Sequence, residues 1–393
     1  MPPLIFRKGL DLKHEVAGAL AESYHSDLVA SIRENDYHYV SGRLTIRLAR
    51  EFGFCYGVDR AVDYAYQARK RFPNRPVVLT GEIIHNPHVN DQLRAQGIRF
   101  LTDENESIER LTPEDVVILP AFGVTIELLE DLTRRGCTLV DTTCGSVLNV
   151  WKNVKRYAAD GFTSVIHGKY WHEETRATAS QALNAGSGRY LVVLNHDEAA
   201  LACTYIVEGG DPEGFVARFE HAVSPGFHPE RDLQHVGCAN QTTMLSSESL
   251  EIGEMFRAAM IRRYGEAELS ARFRAFDTIC SATQDRQDAV ANLVADASLD
   301  LMIVVGGYNS SNTCNLARMC EPRLPTFHIA EPGCLLSATE IRHKPVGAKD
   351  ELTSSSWLPR SGGIAVGLTS GASTPDNLVD AVIRRLDTLI NAE

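Results

Sequence analysis

The sequence predicts an α/β protein made of three similar α/β units with mostly parallel sheets, and three observations carry that reading. From Leu44 onward, short apolar runs of strand length alternate with segments of helical spacing. Three of the runs lead into a turn that holds a cysteine and opens a helix, and others end in loops of glycine, serine, threonine and asparagine. This alternation is the rhythm of parallel strands covered by helices on both faces.

Residues 1–43 precede the alternation and read as an N-terminal helical extension: an amphipathic helix over 14–34, then polar Asn35-Asp36 and Ser41-Gly42. The first unit spans 44–144. It opens with Leu44-Thr-Ile-Arg-Leu-Ala49, which alternates apolar and polar residues, and continues with a helix over 58–72 and a strand over 76–80. A helix over 89–96, a strand over 115–119 and a helix over 126–135 closed by Gly136 complete it. The second unit, 145–276, has a helix over 147–159 and strands over 164–166 and 190–194, with an insertion near 205–236 where 208–214 and 224–232 are loops by composition. The third, 277–373, has a helix over 283–297 and strands over 301–305 and 326–329, and its segment 342–360 again reads as loop. The last stretch, 374–393, reads as a C-terminal helix capped by Thr374 with Pro375 in the first turn.

Composition narrows the function. Across 393 residues, 44% hydrophobic and 23% charged residues are ordinary for a globular protein, and no apolar run reaches the roughly 20 residues that span a bilayer. The first 25 residues carry Asp11, Glu15 and Glu22 and no apolar signal core, so a cytoplasmic protein is expected. Nine cysteines, an odd number, suit a reducing compartment. A formal net charge of -12 disfavours non-specific nucleic-acid binding but leaves room for a small anionic substrate at a donor-rich site.

The chemistry concentrates in the cysteine turns. Glu51-Phe-Gly-Phe-Cys55-Tyr-Gly57 places Cys55 between two glycines after a strand, where the free amides of a helix start favour a thiolate and the glycines admit a bulky ligand. Alone, Cys55 would pass for a buried, unreactive cysteine. But Leu139-Val-Asp-Thr-Thr-Cys144 and Ala275-Phe-Asp-Thr-Ile-Cys280 repeat the device, each an apolar run ending in Asp-Thr-x-Cys before a helix. A metal site assembled from the three has to lie where separate units converge. Cys137, Cys203, Cys238, Cys314, Cys320 and Cys334 share no such context and read as structural.

Polar loops surround that theme. Glu82-Ile-Ile-His85-Asn-Pro-His88 follows a strand, which puts His85 at a carboxyl edge where open α/β sheets bind ligands. His167-Gly-Lys-Tyr-Trp-His172-Glu-Glu174-Thr175 gathers an imidazole and a carboxylate on one turn entering a helix, a pairing that resembles acid-base equipment; Glu173 is expected only to complement the helix dipole. Asn240-Gln-Thr-Thr-Met, Gly306-Gly-Tyr-Asn-Ser-Ser-Asn312 and Gly371-Ala-Ser373 supply small donors suited to phosphate oxygens, or serve as plain turns.

Together the motifs GFCYGVDRA, EIIHNPHVN, DTTC, IHGKYWHEET, QTTM, DTICSATQDRQ, NSSN and GAS, in this order between about Leu44 and Leu378, resemble the 4-hydroxy-3-methylbut-2-enyl diphosphate reductase family of the non-mevalonate isoprenoid pathway. PAFG at 120–123 and the N-terminal extension resemble its plant and cyanobacterial branch. The resemblance implies a three-lobed fold around a central 4Fe-4S cluster held by Cys55, Cys144 and Cys280, with one iron left without a cysteine. It implies reductive dehydroxylation of the allylic diphosphate to isopentenyl and dimethylallyl diphosphates, with electrons from a protein such as ferredoxin or flavodoxin. It implies diphosphate binding by His85, His172, Ser310, Ser311, Asn312 and Ser373, a proton donor in Glu174, and Thr242 beside the substrate hydroxyl. The chain departs from the family in two places: Phe122 stands where many bacterial members have a histidine, and Gly145-Ser146 stands where the branch usually has Pro-Trp. Two rivals use part of the same equipment: an iron-sulfur dehydratase, which consumes no reductant, and a non-enzymatic metal sensor, which has no use for Glu174 or the anion loops.

Overall fold

The computed structural model describes residues 4–183, 186, 188–276, 278–359 and 362–391. These divide into two compact units: a mid-chain unit from 4–5, 108–114 and 119–280, and a split unit from 6–107, 115–118 and 281–391. Both are α/β with mostly parallel strands.

In the mid-chain unit four strands lie in the order Phe273–Ala275, Val236–Asn240, Thr163–His167, Arg189–Val193, every neighbouring pair parallel. Thr163–His167 and Val236–Asn240 are buried at all positions, as central parallel strands covered on both faces must be. Helices Gly145–Ala159 and Glu173–Leu183 pack together, as do His196–Glu208 and Ser246–Tyr264. The apolar core under the second pair joins Val165, Leu191, Ile206 and Phe256.

In the split unit the main sheet runs Thr326–Ile329, Leu301–Val305, Ile364–Ser370, Leu44–Leu48, His38–Ser41, parallel except for the last pair. A second parallel set places Val77–Leu79 between Ile98–Phe100 and Val116–Leu119. The loops that carry Cys55, Ser310–Asn312 and Ser373 therefore follow the carboxyl ends of Leu44–Leu48, Leu301–Val305 and Ile364–Ser370, three neighbours in one sheet.

Several expectations shift in detail. The helix over 14–34 is two helices, Lys13–Tyr24 and Asp27–Glu34, because Ser26 adopts an extended backbone and its hydroxyl accepts from the Val29 amide, a cap hidden inside an amphipathic run. Val29 and Ile32 of the second helix belong to the main-sheet core, and the first strand of that sheet begins at His38 rather than Leu44. The loops at 208–214 and 224–232 contain short helices, Pro212–Arg218 and Pro229–Asp232, each with proline in the first position. Segment 342–360 takes part in an antiparallel pair, Glu340–His343 with Leu352–Ser355, which buries Ile341. The final helix is Asp376–Asn391, and the Thr374 hydroxyl just before it donates to the Val305 carbonyl (3.1 Å).

Candidate functional site

The cysteine device is the same at all three positions. Cys55 is the N-cap of helix Tyr56–Arg71 after strand Leu44–Leu48, Cys144 is the N-cap of Gly145–Ala159 after Thr138–Asp141, and Cys280 directly precedes Ser281–Val294 after Phe273–Ala275. Asp277 of the third turn lies outside the described residues. All three cysteines are partly exposed, each at the start of its helix. The contrast lies elsewhere in the chain: burial pushes the Cys203 and Cys320 thiols up to about 12 and raises Cys238 as well, so these stay protonated and inert. None of the nine cysteines forms a disulfide.

The split unit brings together Cys55, His85, Ser310, Ser311, Asn312 and Ser373. The Cys55 amide donates to the Ala372 carbonyl (3.1 Å), and the Ala372 amide donates to Asn312 Oδ1 (2.9 Å). Ser373 Oγ donates to the His85 carbonyl (3.2 Å). Ser310 caps helix Ser311–Cys320, its hydroxyl accepting from the Thr313 amide, so the helix's first amides and dipole face the same loop. Gly371 permits this close approach, because a Cβ there would collide with Thr313 Oγ1. With Asn312 Oδ1 already engaged, its Nδ2 is a buried donor that no described residue accepts from, although the residue is only 2% exposed. Buried amides are ordinarily hydrogen-bonded, so this one stands ready to donate to an acceptor. His85 is oriented by Glu82, whose Oε2 lies 2.8 Å from Nδ1 and also accepts from Asn309 Nδ2.

The mid-chain unit brings together Cys144, His172, Glu174, Thr242 and Cys280. Glu174 is 2% exposed and both its oxygens are engaged: Oε1 accepts from the Thr242 amide (2.6 Å) and Oε2 from Thr242 Oγ1 (3.0 Å). The Thr242 carbonyl in turn accepts from the Cys280 amide (3.4 Å). His172 Nδ1 accepts from the Glu174 amide (3.1 Å), and the Phe122 ring stands edge-on to the imidazole at 5.7 Å. The neighbouring Ala121 carbonyl accepts from the Cys144 amide (3.0 Å). Gln241 Oε1 holds the whole turn, accepting from the Lys169 amide and from Thr175 Oγ1 at 3.1 Å each.

Sequence reasoning did not single out Glu82, Asn309 or Gln241 as orienting groups. Glu82 was within reach, because an acid three residues before a loop histidine is a local pairing; Asn309 and Gln241 act across long separations that no local pattern encodes.

Fold and site thus define an α/β protein with three cysteines at helix starts, a loop cluster rich in hydroxyl and amide donors, and a buried Glu174. The chain belongs to the LytB family, whose model, described as the LytB protein, matches residues 46–387. It is similar to proteins named 4-hydroxy-3-methylbut-2-enyl diphosphate reductase from a Synechococcus species, at 49% identity over 98% of this chain and 95% of that one, and from Gloeobacter violaceus, at 50% identity over 97% and 91%. Among solved structures it resembles the (E)-4-hydroxy-3-methyl-but-2-enyl diphosphate reductase described as the terminal enzyme of the non-mevalonate pathway, with TM-score 0.51, 26% identity, and coverage of 87% of this chain and 98% of that one. The Plasmodium falciparum reductase shares the fold, with TM-score 0.63 at 20% identity and 88% of each chain covered. Among the described residues no helix is long and apolar enough to cross a membrane.

Proposed function

We propose that this chain is an iron-sulfur oxidoreductase that converts (E)-4-hydroxy-3-methylbut-2-enyl diphosphate to isopentenyl and dimethylallyl diphosphates, the last step of the non-mevalonate isoprenoid pathway. The observation that carries the reading is the buried Glu174–Thr242 pair, a carboxylate and hydroxyl at 3.0 Å beside the Cys280 turn, in a chain whose near-full-length relatives bear the reductase name.

The reaction replaces an allylic C–OH by C–H, so it consumes two electrons and two protons and releases water. Cys55, Cys144 and Cys280 fit a 4Fe-4S cluster in chemistry, each a cysteine at a helix start, and together they would hold it with one iron lacking a protein thiolate. When bound, such a cluster supplies electrons singly. The chain's own residues do the rest. Ser310, Ser311, Asn312, Ser373 and His85 take the diphosphate, the Asn312 Nδ2 amide gaining the acceptor it otherwise lacks, and His172 adds an imidazole. Thr242 orients the substrate hydroxyl. Its backbone amide can only donate, which fixes Glu174 Oε1; its hydroxyl can donate or accept, which leaves Oε2 as the oxygen through which a proton enters or leaves. Glu174 delivers that proton to the departing hydroxyl or to the allylic carbon, directly or through Thr242. A one-electron carrier such as ferredoxin or flavodoxin supplies the reducing equivalents, and the cytoplasm is the compartment we expect.

The test is anaerobic purification with iron and sulfide analysis, then assay with the diphosphate substrate with and without reductant. Four irons and four sulfides per chain with reductant-dependent product formation are expected. Turnover that consumes no reductant, or a purified chain that cannot take up a cluster, overturns the reading.

A further inference from the structure

Arg286 lies on helix Ser281–Val294, is 3% exposed, and has no carboxylate partner among the described residues. Its guanidinium donates through Nη1 to the Ala282 carbonyl (2.7 Å) and through Nη2 to the Gly53 carbonyl (2.8 Å), while Nε is buried without an acceptor. The acids nearest in sequence, Asp285 and Asp288, are exposed, and Asp288 accepts from Gln284. Asp376, which faces the same glycine, is bound by Arg33 at 2.5 and 2.9 Å.

A buried cation satisfied only by neutral carbonyls is costly, and folding tolerates it where an anion completes its surroundings. The guanidinium lies beside a cysteine turn. Gly53 is two residues before Cys55, in the turn whose amide bonds are Gly53 N to Ser370 Oγ and Cys55 N to Ala372 O, and Ala282 is in the first turn of the helix that follows Cys280. One guanidinium therefore anchors both backbone segments, Nη1 holding the first turn of its own helix and Nη2 the turn that carries Cys55.

We propose that Arg286 is a positioning residue for the cluster site, whose fork holds the Cys55 turn and whose buried charge offsets the negative charge of the thiolate-ligated cluster. This rests on the cluster reading above and adds the residue that sets its electrostatics. A fixed cation stabilises the reduced, more negative form, so it raises the reduction potential.

The experiment is a redox titration followed by electron paramagnetic resonance, with iron and sulfide content measured on the same anaerobic holoprotein, for wild type, R286Q and R286K. Glutamine keeps amide donors for the carbonyls but removes the charge. It is expected to shift the cluster potential negative, while R286K keeps the potential near wild type and loses iron faster on exposure to a chelator. A potential in R286Q equal to that of wild type at equal cluster content overturns the proposal and leaves Arg286 a backbone clamp. Should R286Q not fold, R286K decides: an unmoved potential supports the charge assignment, and a potential displaced negative despite the retained charge refutes it. Failure of the underlying reading is separately visible, because wild type would then hold no cluster.

Discussion

At the residue scale the three cysteine turns and Glu174 make separable demands. On the proposed function each turn would contribute one sulfur, so a shared cluster would not survive loss of any of them. Serine at Cys55, Cys144 or Cys280 is expected to abolish visible absorbance and activity together, whereas Cys203→Ser, at a thiol held protonated by burial, retains both. Iron content per chain checks this, and retention of a full cluster by any one of the three variants would break the shared-site assignment. Glu174→Gln preserves the shape of the side chain and the Thr242 amide bond but cannot pass a proton. We expect cluster spectra and substrate-induced spectral changes to persist while turnover falls by roughly 10²-fold or more, the range for a positioned acid. Near-normal turnover would take Glu174 out of the mechanism; loss of the cluster would make its role structural.

At the scale of elements, the helix after Cys144 starts with a residue that weakens it. Gly145 occupies the first helical position, a Cβ there meets nothing within 4 Å, and Cys144 before it is extended, with φ -63 and ψ 144. Proline suits that position, because the amide it removes is one of the helix's unsatisfied four and the preceding backbone is already in the range that proline requires. Gly145→Pro is therefore expected to stabilise by about 0.4–1 kcal/mol, chiefly by restricting the unfolded chain, and to raise Tm by about 0.5–1 °C with an unchanged cluster spectrum. A melt of the anaerobic protein measures it, and a lower Tm would show that the Gly145 amide is needed. The N-terminal helix Asp27–Glu34 has a comparable local role in the split unit. Its Arg33 pairs with Asp376 and lies over the Phe52 ring at 4.5 Å, three residues before Cys55; Ser26 donates to Asp380 on the same C-terminal helix. The extension is thus tied to the start and first turns of the chain's last helix.

At the scale of the whole molecule, stability depends on pH through buried histidines. Burial is the main cause that pushes His328 down to about 4, opposed by its bond to the Gly306 carbonyl (2.9 Å) and reinforced by Lys344 and His343. Its folded value lies below the unfolded value of 6.5, so the unfolded chain binds the extra proton between those pH values. The contribution is complete above pH 6.5 and is lost as pH falls towards about 4, amounting to about 3 kcal/mol over the window. His328→Gln, which can still donate to Gly306, is expected to flatten the decline of Tm between pH 6.5 and 4 relative to wild type. Parallel curves for the two proteins would assign the decline to other groups.

The sequence by itself determined the strand, cysteine turn and helix device at Cys55, Cys144 and Cys280, the α/β class, and the donor loops at Ser310–Asn312 and Ser373, because capping residues, glycines and apolar periodicity act within a few residues of one another. It misplaced boundaries where a local cap competed with a long amphipathic run, as at Ser26, and where proline-led helices were too short to show periodicity, as at Pro212 and Pro229. Only the tertiary structure decided which polar groups meet. Glu174 finds Thr242 across 68 residues, Asn312 finds Ala372 across 60, and Arg286 finds Gly53 across 233. Strand order sets such partners, and that order follows from burying apolar faces over the whole chain, so no local stretch contains it.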